Sequence, residues 1–97
     1  MRVISVKILR QFWELHRDVE AALRSWYAEA CQAQWKTPQD ILARYNGADS
    51  LPNNRVVFNI KGNQYRLVVK IHYNSGKVFI RFVGTHAEYD RIDAEKI

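Results

Sequence analysis

The hydrophobic residues change period part-way along the chain, and that change constrains the fold more than any other feature. In the first half, Ile8, Phe12, Leu15 and Val19 recur at helical spacing. Val19, Ala22, Leu23, Trp26, Ala30 and Ala33 continue as the stripe of a second helix. Ser5 and Asp18 are the expected caps, with a break near His16-Arg17-Asp18. Thr37-Pro38-Gln39-Asp40 opens a short third helix, which Asn46-Gly47 ends. A polar loop over residues 48–54 follows, and then the period becomes two. Residues 55–60, 65–73 and 78–83 read as strands, and a β-branched run over 2–5 as another. Lys61-Gly62-Asn63-Gln64 and Asn74-Ser75-Gly76-Lys77 read as hairpin turns, so the last three strands form an antiparallel meander. Thr85-His86-Ala87-Glu88 is a capping box opening a final short helix. Helices grouped ahead of a meander predict an α+β domain. The N-terminal strand and helices pack on one face of a mostly antiparallel sheet, in the order β-α-α-(α)-β-β-β-α.

Ninety-seven residues suit one domain, expected to span 1–97. No apolar run exceeds three residues, so no membrane-crossing helix is expected. The first residues lack the apolar core of a secretory signal, and Cys31 is the sole cysteine, which excludes an internal disulfide and a cysteine-based zinc site. A cytoplasmic location is the expectation.

Charge is uneven. Residues 50–87 contain no Asp or Glu but carry Arg55, Lys61, Arg66, Lys70, Lys77 and Arg81. The remainder holds nine basic and ten acidic residues, so this span supplies the whole positive excess. A one-sign segment suggests a polyanionic partner, or, more plainly, a soluble sheet face.

Alternation sorts these residues by face. Tyr65, Leu67, Val69, Ile71 and Tyr73 share one side of their strand, as do Val56, Phe58 and Ile60, and Val78, Ile80 and Phe82. Those sets are the expected core. The opposite side gathers Arg55, Asn59, Arg66, Lys70, His72 and Arg81, with Val57, Val68 and Phe79 between them. Such a platform suits a nucleic-acid backbone. Trp13, Trp26 and Trp35 lie outside the basic span and read as core or partner-contact residues.

The stretch from Phe58-Asn59 through Gly62-Asn63, Tyr65-Arg66 and Lys70, with Ile80-Arg81, Thr85-His86 and Glu88-Tyr89-Asp90, closely resembles the HigB-type toxins of bacterial toxin–antitoxin modules, within the RelE-like superfamily. The dense match covers the C-terminal half. The resemblance implies a RelE-like fold, cleavage of messenger RNA during translation on the ribosome, and a helix-turn-helix antitoxin as neutralising partner in a hetero-oligomer.

RNA cleavage by attack of the 2′-hydroxyl needs a base, cations for the charge on phosphorus and an acid for the leaving oxygen. The sequence has no metal-ligand spacing, so a route without metal or other cofactor is expected. Arg66 and Arg81 are the candidate transition-state clamps, because guanidinium forks match phosphate and stay charged. Lys70, four residues beyond Arg66 on the same face, can stabilise phosphate or move a proton. His86, Tyr89 and Asp90 stand at i, i+3 and i+4: an acid or base, a stacking group, and a residue to orient His86 or touch RNA. Arg55, Asn59, Lys61 and Asn63 are candidate RNA contacts. Plainer readings stand beside these: Asn59 ties down a loop, Asn63 makes a turn, Tyr89 docks its helix, and an arginine anchors the antitoxin. A non-catalytic RNA-binding module and a gyrase-poisoning toxin of the same fold are the alternative functions.

Overall fold

In the computed structural model, which describes residues 1–97, the sheet has five strands. They are β1 (Arg2–Ile4), β2 (Asp49–Leu51), β3 (Arg55–Ile60), β4 (Tyr65–His72) and β5 (Lys77–Thr85), in the order β1-β5-β4-β3-β2. β3, β4 and β5 form the expected meander, β2 extends it antiparallel, and β1 joins the far side parallel to β5. The helices are α1 (Val6–Leu15), α2 (Glu20–Gln32), α3 (Pro38–Arg44) and α4 (His86–Tyr89). Gly62 and Gly76 take φ of 67° and 68°, the left-handed backbone that each hairpin turn requires.

The first three helices cover one sheet face. Leu9 and Trp13 of α1, Leu23, Trp26 and Ala30 of α2, and Ile41 of α3 are buried there. They meet Val56, Phe58, Ile60, Leu67, Val69, Ile71, Val78 and Ile80 in one apolar cluster. Trp13, Trp26 and Trp35 all belong to this core, as their placement in the helical half implied. Asp40 accepts from the backbone N–H groups of Lys36 (2.9 Å) and Thr37 (3.2 Å), tightening the start of α3.

Four expectations need correction. Ser5 stands at the N-cap of α1 with φ of 71° and makes no capping hydrogen bond through its side chain. A one-turn 3-10 helix, Arg17–Val19, separates α1 from α2, and Asp18 caps neither because its carboxylate binds elsewhere. The polar loop contains the edge strand β2, too short and polar to show a period. The last correction is a β-bulge in β5: Val68 pairs with Phe82 and Val69 with Ile80, so Arg81 has no partner. Beyond it the faces exchange. Val83, expected on the basic side, joins the helix-side core, and Phe82, expected in that core, turns to the opposite side.

Candidate RNA-cleaving site

The helix-distal face is not an open platform. Residues 90–97 fold across it, and Ala94 buries Val57 and Val68 beneath it, with Leu51, Phe82, Tyr89, Ile92 and Ile97 packed around them. Arg55 fastens this roof. It is 8% exposed and the only buried charged residue. Its Nη1 donates to the carbonyl of Asn53 (2.9 Å), and its Nε to that of Ile97 (3.1 Å), which its Nη2 also reaches. Asn53 Nδ2 donates to the Glu95 carbonyl nearby. The expectation that Arg55 faces outward is therefore corrected: its guanidinium is bound within the protein.

Arg66 stands at the end of this roof. Across the sheet it pairs with Asn59 and with Gly84. A Cβ at Gly84 would fall 2.5 Å from the Phe82 ring and 3.0 Å from Glu88 Oε1, so only glycine leaves room for that ring beside α4. The Arg66 guanidinium lies over the Tyr89 ring, 5.3 Å from its centroid. Its Nε is buried with no hydrogen-bond partner in the protein. The guanidinium thus rests on an aromatic face and has no carboxylate partner.

The capping box anticipated at Thr85 aims α4. Thr85 Oγ1 accepts from the Glu88 N–H (3.2 Å), and Glu88 Oε1 accepts from the Thr85 N–H (2.8 Å). Those bonds hold the Glu88 carboxyl below the usual carboxylate range, the Thr85 backbone N–H being the main cause. The His86 N–H donates to the Gln64 carbonyl (3.3 Å), joining α4 to the β3–β4 turn. One turn on, His86 Nδ1 lies 3.4 Å from Asp90 Oδ2, both exposed. The i, i+3, i+4 spacing thus brings His86 and Asp90 together at the solvent edge and turns Tyr89 onto Arg66.

The remaining residues separate. Arg81 is exposed in the bulge, beside Phe82 in the row next to Arg66. Lys70 is half-buried in the row beyond Val68, level with Arg55 and Phe79. None of the six ion pairs in the molecule includes Arg66, Lys70 or Arg81. Lys61, by contrast, binds Asp18 Oδ2 at 3.0 Å. Asn59 Nδ2 donates to the Gly47 carbonyl (2.9 Å), the loop-tying alternative. Asn63 is exposed in the turn. No trio of His, Cys, Asp or Glu side chains is arranged to hold a metal ion.

The sequence pattern does not reveal Asp18 and Tyr65 as a pair. The Tyr65 hydroxyl donates to Asp18 (2.8 Å to Oδ2), and Lys61 adds its charge. Together they hold the Asp18 carboxyl below its ordinary range, the tyrosine hydrogen bond being the main cause, and the same interaction raises Tyr65. This ties the base of the β3–β4 hairpin, next to Arg66, to the turn between α1 and α2. No local motif announces a partner 47 residues away.

Residues 19–92 match the HigB toxin family, described as the RelE-like toxic component of a toxin–antitoxin system. The chain belongs to the HigB toxin family. It is 29% identical to the mRNA interferase toxin HigB of Escherichia coli K12 over 92 residues, 93% of this chain and 88% of that protein. The same figures hold for the mRNA interferase HigB of Shigella flexneri. The mRNA interferase HigB of Escherichia coli CFT073 is 23% identical over 94 residues, 95% of this chain and 91% of that protein. As a member of this family the chain is the toxic half of a two-component system, in which an antitoxin is the counterpart. No helix is long and apolar enough to cross a membrane.

Proposed function

We propose that the chain is an endoribonuclease that cuts messenger RNA on the translating ribosome by attack of the 2′-hydroxyl on the adjacent phosphorus, and that a helix-turn-helix antitoxin neutralises it. The observation that carries the reading is Arg66, laid on Tyr89 without a carboxylate partner on the central strand β4, where β3, β4 and β5 contain no Asp or Glu.

The chemistry follows from what stands there. The 2′-oxygen forms a bond to phosphorus and loses its proton to a base, while the 5′-oxygen leaves and takes a proton from an acid. The products are a 2′,3′-cyclic phosphate and a 5′-hydroxyl. Negative charge on the phosphoryl oxygens rises between the two states. Arg66 and Arg81, both permanently charged, stabilise it. Tyr89 fixes the plane of the Arg66 guanidinium, so little reorganisation remains when the phosphate arrives. His86, oriented by Asp90, supplies the imidazole on this edge for proton transfer to or from the reacting oxygens. Lys70 holds a neighbouring phosphate. Arg55, Asn59 and Lys61 serve the site indirectly, through the roof, the Gly47 loop and the Asp18 ion pair. The names of the relatives, mRNA interferases, agree with this reading.

The test is induction of the parent and of Arg66→Ala and Arg81→Ala in growing cells, following growth and message integrity. The parent arrests growth and cuts messages in step with codons; each variant relieves both. Arrest with intact messages and a DNA-damage response would support the gyrase-poisoning alternative. RNA binding without cleavage would support the binding module.

A further inference from the structure

At the opposite end of the helix-distal face lies a second cationic group. Arg2 of β1 pairs directly with Lys77 of β5, and Lys77 pairs in turn with His72 of β4. Directly paired residues project from the same face, so three basic side chains form one row across three strands. Phe79 follows in the next row, and its ring lies 4.9 Å from the His72 ring. Arg2 and His72 are exposed, Lys77 and Phe79 half-buried. Neither Arg2 nor Lys77 joins any ion pair, and β1, β3, β4 and β5 contain no Asp or Glu.

Like charges placed directly opposite one another destabilise a sheet. A row that keeps them without a carboxylate is explained by an anion that binds both. His72 lies six positions beyond Arg66 along β4, roughly 20 Å at the usual rise of a strand. One phosphate cannot span that interval, so this row holds a different phosphate from the one at Arg66, and Lys70, paired with Phe79, stands between the two. The His72 and Phe79 rings lie within it, as aromatic groups do in surfaces that track a nucleic-acid backbone and stack its bases. An acidic protein partner would call for a broad apolar centre to the interface, and the adjoining row offers only Phe79 and its direct partner Ile4, both half-buried.

We infer that Arg2, Lys77, His72 and Phe79 form a second RNA-binding strip, which holds the phosphate backbone of RNA lying beyond the scissile linkage. The inference rests on the proposed RNA-directed function and adds a binding surface that the chemistry itself does not use.

The experiment measures affinity for a single-stranded messenger RNA fragment against salt concentration, for the protein and two double variants of equal charge change. Arg2→Gln with Lys77→Gln removes the strip; Lys7→Gln with Arg10→Gln removes two cations exposed on α1. The strip variant is expected to lower the steepness of the log–log salt dependence by about 1 to 2, one for each phosphate no longer held. Its thermal midpoint is expected to hold or rise, because a repulsive pair has gone. The α1 variant is expected to bind like the parent. Equal weakening in both variants, or an unchanged salt dependence in the strip variant, overturns the strip. Unchanged RNA affinity with weakened antitoxin binding reassigns the row to the antitoxin and overturns it too. Failure here with Arg66→Ala still abolishing cleavage leaves the proposed function standing; the reverse pattern removes that function and keeps the strip.

Discussion

The two faces of the sheet share the same strands and differ in almost everything else. On the helix side, nineteen buried residues make one cluster that α1, α2 and α3 close over. On the other side Val57 and Val68 lie buried under Ala94 of a short, partly irregular segment fastened by Arg55. Adjacent residues of β4 serve opposite ends: Leu67 is fully buried under the helices, while Arg66 stands beside Tyr89 at the rim. The difference teaches that stability and chemistry are divided by side-chain parity. The large core sets the strand geometry, and the thinly covered face can then hold unpaired cations that no core would tolerate.

Breaking each side should therefore give different signatures. The largest effect is expected for Leu67→Ala, which should cost about 2–5 kcal/mol in urea unfolding through the reduced burial and the cavity left behind. Arg66→Ala should leave the unfolding midpoint nearly in place and lower cleavage by about 100- to 1000-fold, the usual effect of removing one preorganised oxyanion-stabilising donor. A large fall in stability for Arg66→Ala would merge the two faces into one.

Arg55→Met sits between these cases, because it keeps the apolar stem and removes the fork. Its expected cost is about 1.5–3 kcal/mol. Faster amide hydrogen exchange, confined to residues 86–97, is the accompanying sign, and exchange spreading into α2 would contradict the latch.

The smallest effect is a pH dependence. The folded state holds Asp18 below its ordinary range, so its contribution is complete above about pH 4 and is lost as pH falls through the depressed value. Asp18→Asn should therefore lower the thermal midpoint slightly at neutral pH, where that contribution is present, and converge on the parent in acid, which flattens the midpoint against pH across that window. An unaltered acid limb would show that the Tyr65 and Lys61 interactions do not matter to stability.

Much of this division is legible in the sequence. Period two assigns Leu67, Val69 and Ile71 to the core and Arg66 and Lys70 to the other face, and the Thr85–Glu88 box locates α4. What escapes it arises from tertiary structure. The bulge at Arg81 shifts parity by one residue, a change that no local pattern marks, and it exchanges Phe82 with Val83. The roof is hidden because Ile92, Ala94 and Ile97 are too sparse to show a period, although three apolar residues among charges after α4 are a signal. Arg55 looks like its neighbours in the acid-free span, since burial by residues 42 positions away is invisible to alternation. Asp18 reads as a cap because its distant partner, Tyr65, reads as plain core.

The central claim, that Arg66 and its neighbours drive attack by the 2′-hydroxyl, is tested most directly by the chemistry of the cut ends. Messages cleaved by the parent should carry a 5′-hydroxyl that a kinase can label without prior phosphatase treatment, opposite a 2′,3′-cyclic phosphate, and these ends should all but disappear with Arg66→Ala. Ends bearing a 5′-phosphate, or the same yield of ends from Arg66→Ala, would contradict it.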